Sequence, residues 1–139
     1  MIDEAGALAI SERIFGGFNR GDVASFADCL HSDIVAEFPF SPPGMFESPR
    51  GQAAVLEAMT QGRAMMASMT ITPSETYWSA PDETLVIEAK GKAQLRGGTP
   101  YNNSYVFMVG FRDGRVILWR EYFDSLLMQH AIEAEMAAG

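Results

Sequence analysis

The chain has 139 residues, a net charge of −8, two histidines and a single cysteine. That length suits one domain, residues 1–139, able to bury roughly two thirds of its unfolded surface. The acidity opposes binding to nucleic-acid phosphates, one cysteine excludes an internal disulfide, and two separated histidines with one cysteine offer no metal-ligand spacing.

From the start of the chain, Ala7, Leu8, Ile10, Ile14, Phe15 and Phe18 recur at helical spacing, with Asp3 and Glu4 where negative charge suits a helix start. This predicts an amphipathic helix over 3–18, broken by Asn19-Arg20-Gly21. Asp22 is placed to cap a short second helix with Val23, Phe26, Ala27 and Leu30 as its stripe, and Cys29 on its apolar side reads as core packing. His31 follows in a connection and reads as solvated. Residues 34–40 alternate Ile34, Ala36, Phe38 and Phe40 against Val35, Glu37 and Pro39, a strand whose proline suits a sheet edge or a strand end.

Residues 41–51 hold three prolines and two glycines and form a loop, a candidate flap carrying Met45 and Phe46. Helical spacing resumes over 52–69, where Met59, Met66 and Met69 read as core first and pocket lining second. Residues 70–79 are β-rich, and Ala80-Pro81-Asp82 is a turn. Over 84–96 the apolar face shrinks to Ala89, Gly91 and Ala93, leaving room for a ligand or for a bulky side chain from a crossing helix.

After the turn at 97–100, two apolar runs flank Arg112-Asp113-Gly114-Arg115, a strong hairpin signal. Period two places Ile117, Trp119, Glu121 and Phe123 on one face of the second strand, and Leu118, Arg120, Tyr122 and Asp124 on the other. Glu121 is thus a carboxylate between two aromatics, where desolvation raises the pKa as a proton carrier needs. The plainer alternative is an ion pair with Lys90 or Lys92. Tyr101, Asn103, Tyr105 and Phe107 also share a face; Asn103 and Tyr105 are candidates to hold a substrate oxygen, or an ordinary cross-strand pair. A last helix over 126–136 turns Leu127, Ala131 and Ile132 inward and leaves His130 exposed.

These elements predict an α+β domain, with a curved mixed or antiparallel sheet wrapped around the N-terminal helices. Val106, Met108, Leu118 and Tyr122 on the opposite sheet face favour a homodimer formed through the sheet. Nine methionines, nine phenylalanines, four tyrosines and two tryptophans admit an apolar pocket for a small hydrophobic ligand. With no charged-then-apolar leader and no long apolar run, a cytoplasmic protein without membrane contact is expected.

The order of elements and the run from Asp113 to Asp124 resemble SnoaL-like proteins of the nuclear transport factor 2-like superfamily, over nearly the whole chain. The resemblance implies a conical barrel of the cystatin-like roll type with an apolar pocket, commonly dimeric. That superfamily holds ketosteroid isomerases, polyketide cyclases, limonene epoxide hydrolase and phenazine biosynthesis proteins A and B. Residues 119–124 are similar to the W-R-D-Y-F-D of limonene epoxide hydrolase, which places Glu121 at its catalytic Asp; the phenazine proteins keep Glu there as an acid. Residues 33–39 resemble the ketosteroid isomerase strand, with Phe38 where the proton-shuttling Asp would stand. Glu88-Ala89-Lys90 lacks the hydrolase's Arg-x-Asp, so neither reaction carries over as it stands. The expectation is a cofactor-free acid/base enzyme of isomerase, cyclase or hydrolase type acting on a small, largely apolar substrate. Glu121 would be its catalytic group, and Phe38, Phe40, Met59, Asn103, Tyr105, Trp119 and Phe123 its binding residues. The alternative is a non-catalytic dimeric ligand-binding module.

Overall fold

The computed structural model describes residues 1–138, with elements in the order α1 (Glu4–Arg20), a 3₁₀ segment (Val23–Cys29), β1 (Leu30–Glu37), α2 (Gln52–Ala64), β2 (Met66–Ser79), β3 (Thr84–Leu95), β4 (Ser104–Arg112), β5 (Arg115–Phe123) and α3 (Ser125–Ala138). The strands form one mixed sheet ordered β1-β5-β4-β3-β2, in which β1 runs parallel to β5 and every other pair is antiparallel. The sheet curves without closing, so β1 and β2 remain its edges. Its concave face packs on α1.

Local chemistry sets these elements. Asp3 caps α1 by accepting the Gly6 N–H at 2.8 Å, and Gly21 ends it at φ 74°, where only glycine sits without strain. The buried stripe of α1 reaches the sheet through Phe15, whose ring lies 5.0 Å from Phe107 and 5.7 Å from Trp119. Asn19, which the sequence marks only as a helix breaker, fastens α1 to β2: its amide donates to the Ile71 carbonyl at 3.1 Å and accepts the Ile71 N–H at 2.9 Å. Arg63 of α2 adds bonds to the carbonyls of Phe18 and Asn19.

The hairpin turns as its residues demand, with Asp113 at φ 53° and Gly114 at φ 75°. One face assignment is corrected. Phe111 pairs with Val116 and Gly110 with Leu118, so Ile117 is the extra residue of a β-bulge. Val116 therefore points inward in place of Ile117, and the expected alternation resumes at Trp119.

Element boundaries and one cap also differ from expectation. The helix expected over 52–69 ends at Ala64, and β2 begins at Met66, because Met66 and Met69 pair with Leu95 and Ala93 of β3; sheet pairing outweighs their helix propensity. β1 stops at Glu37, leaving Phe38, Pro39 and Phe40 outside the sheet. Asp22 makes no side-chain cap, and the segment after it is 3₁₀, kinked at Phe26. Cys29 is buried, and burial pushes its thiol pKa up. Among the described residues no helix is long and apolar enough to cross a membrane.

Candidate active site

Between the concave sheet face, α1, α2, the 41–49 flap and α3 lies a cavity of about 610 Å³. Its floor is aromatic. Tyr105 stacks on Phe107 at 5.4 Å, Phe107 meets Trp119 at 5.1 Å, and Phe15 covers both Phe107 and Trp119. Ile14 and Phe18 of α1, Met59 of α2, Met65 at the end of that helix, and Met128 and Ile132 of α3 close the sides. The flap contributes Met45 and Phe46, the latter 5.2 Å from Phe38.

Glu121 projects from β5 onto this wall. Its nearest hydrogen-bond partner is the Trp119 indole, whose Nε1–H donates to Oε1 at 3.4 Å. By surface area Glu121 is half-buried, yet its carboxyl is desolvated like a core group, because the surface it keeps faces the cavity rather than bulk solvent. That burial pushes its pKa from an ordinary value near 4.5 up to about 7, only partly offset by the Trp119 bond. Among the described residues no Lys, Arg or His lines the cavity. Lys90 instead donates from an exposed position to the Ser104 hydroxyl at 2.9 Å, and Lys92 is exposed, so pairing of Glu121 with either is overturned.

Tyr101 and Tyr105 bring two hydroxyls to the same wall. Asn103 donates through Nδ2 to the Tyr101 hydroxyl at 2.8 Å, which leaves the Tyr101 proton free to be given elsewhere. Desolvation raises Tyr101 to about 12, and Tyr105 higher still for the same reason, so both remain protonated donors at neutral pH.

The residues singled out from sequence divide accordingly. The structure brings Phe38, Met59, Tyr105, Trp119 and Glu121 onto the cavity wall. It leaves three off the wall, each for a geometric reason. Phe40 is 58% exposed and rests edge-on against Tyr122, because a turn from Phe38 to Ser41 swings it outward. Asn103 is buried with its amide fully used: besides Tyr101 it donates to the Asp124 carbonyl, and its Oδ1 accepts the N–H groups of Ser104 and Asp124. It holds Tyr101 and the end of β5 in place. Phe123 packs edge-on against Phe46 within the core.

Tyr101 joins the wall beyond the residues expected from sequence. Its signal was the alternation it shares with Tyr105 and Phe107. Glu47 of the flap and Glu57 and Gln61 of α2, at exposed positions of the wall, carried no sequence signal at all. His31 stands apart, with Nε2 3.6 Å from Asp113. Among the described residues no three His, Cys, Asp or Glu side chains converge as a metal-ligand set.

A family model described as the SnoaL-like domain matches residues 11–119. The chain is 27% identical over 111 residues to the uncharacterized protein YesE of Bacillus subtilis, covering 79% of this chain and 76% of that one. It is 26% identical over 123 residues to an uncharacterized PhzA/B-like protein of Pseudomonas aeruginosa, covering 86% and 84% of the two chains. Among solved structures, a protein from Bacillus subtilis provisionally named an isomerase superposes with a TM-score of 0.84 at 25% identity, covering 96% of each chain.

Proposed function

The chain belongs to the SnoaL-like domain family, and from that premise we propose that it is an acid/base enzyme working with its own side chains on a small, largely apolar carbonyl compound. One observation carries the reading: a lone carboxyl, Glu121, raised to about 7 on the aromatic wall of a cavity with no cation beside it. At that pKa both protonation states are populated near neutral pH, so the same group can take a proton and return it.

In this scheme Glu121 removes a proton from the carbon next to a carbonyl while the Tyr101 and Tyr105 hydroxyls donate to the oxygen as negative charge gathers there. Return of the proton to a different carbon is an isomerisation, and attack of the enolate on a second carbonyl of the same molecule is a cyclisation. Hydrolysis by paired carboxylates has less behind it, because Glu121 is the one carboxyl placed against the buried floor and the other wall carboxylates, Glu47 and Glu57, are exposed.

The test is exchange of solvent deuterium into hydrophobic enolisable ketones such as 2-tetralone. Wild type should catalyse exchange, and Glu121→Gln should lose roughly 10²- to 10⁴-fold while still binding the ketone. If neither protein exchanges above the uncatalysed rate across a ketone panel although both bind, the chain is a ligand-binding module of the same fold.

A further inference from the structure

The cavity's charges are all of one sign. Among the described residues its wall carries three carboxyls, Glu47, Glu57 and Glu121, and no basic side chain. Glu121 lies against the aromatic floor, whereas Glu47 on the flap and Glu57 on α2 are exposed where the cavity meets solvent. The nearby basic residue of α2, Arg63, turns aside: its guanidinium is spent on the carbonyls of Phe18, Asn19 and Met66 and is not part of the wall.

We propose that Glu47 and Glu57 form a charge filter at the mouth of the cavity, which admits uncharged hydrophobic molecules and refuses carboxylate, phosphate and sulfonate ligands of the same shape. The proposal deepens the reading of the site as a pocket for apolar carbonyl compounds and rests on it. An anion entering would meet two fixed negative charges and then lie near a third in a low-dielectric enclosure, with no guanidinium, ammonium or imidazole to receive it. A neutral ligand feels none of this and gains the aromatic and methionine walls. The filter also excludes compounds activated as phosphates or as nucleotide-bearing thioesters, however apolar their acyl part.

A matched pair of fluorescent probes tests the filter without turnover: neutral N-phenyl-1-naphthylamine and 1-anilinonaphthalene-8-sulfonate, which differ by one sulfonate. In low salt the wild type should bind the neutral probe at least about tenfold more tightly, each exposed carboxylate contributing a few-fold through partly screened repulsion. The double variant Glu47→Gln/Glu57→Gln should narrow the gap by roughly three- to tenfold, entirely through tighter sulfonate binding. Raising salt to about 0.5 M should narrow it in wild type and narrow it clearly less in the double variant, which keeps only Glu121 on the wall. Circular dichroism checks that the variant folds. Equal affinities in wild type, or a gap untouched by the double variant and by salt, would overturn the filter. If ketone exchange persists in that case, the acid/base reading survives alone; if neither probe nor ketone binds, both readings fall.

Discussion

Glu121 links the acid/base reading to a measurable property of the fold. Its folded pKa of about 7 stands above its ordinary 4.5, so the ionised carboxylate is less comfortable in the fold than in the unfolded chain. The stabilisation it permits is full below about pH 4.5 and is lost as pH rises through about 7, leaving the fold weaker by roughly 2 kcal/mol once discounted for a carboxyl that meets a water-accessible cavity. Glu121→Gln removes the titration. The variant should therefore match wild type in acid and exceed it above neutrality, read as the difference between their urea midpoints across that range. Parallel midpoints at every pH would mean that the carboxyl is solvated and its pKa unshifted. This residue was legible in the sequence because a strand's period of two left a carboxylate on an aromatic face. Phe40 and Asn103 were placed by the same period and misjudged. Alternation says which side of a strand a residue takes, but not that the strand has already ended at Glu37 or that an amide is saturated by its neighbours.

At the scale of elements, the hairpin and the first helix could be read because their signals are local: Asp-Gly in the turn, Asp3 and Gly21 at the helix ends. The bulge at Ile117 and the early start of β2 could not, since each depends on a partner strand distant in sequence. The narrow middle of β3 shows the same limit. Its small residues were expected to face a ligand or a crossing helix, yet Gly91 lies under the ring of Tyr105 on the neighbouring strand. A Cβ added there would stand 2.8 Å from Tyr105 Cε2 and 3.4 Å from its hydroxyl. Gly91→Ala should thus cost about 1 to 3 kcal/mol through overpacking and also push the Tyr105 hydroxyl from its place, lowering ketone exchange beyond what the stability loss explains. Gly62→Ala is the matched control, because a Cβ in that part of α2 meets open space; it should be neutral or stabilising by up to about 1 kcal/mol. Should both variants unfold at the same urea concentration as wild type, Tyr105 does not rest on Gly91 as described.

The whole molecule presents two faces of one sheet, and only the concave one is covered. The other carries Val106, Met108, Leu118 and Tyr122 half-exposed around the ion pair of Arg120 and Glu37, 3.0 Å apart. We propose that two copies meet there about a two-fold axis, since an apolar patch enclosing one cation and one anion can complement itself when rotated onto its twin. The net charge of −8 on each copy works against this association, so the dimer should tighten as salt screens the long-range repulsion. Sedimentation at micromolar concentration should find a dimer whose dissociation constant falls with added salt. Val106→Glu, which sets a further negative charge on each facing sheet, should give a monomer with unchanged circular dichroism and unchanged binding of the neutral probe, because the cavity opens on the other side of the sheet. A wild type that sediments as a monomer at every salt concentration would leave the face without a partner of its own kind.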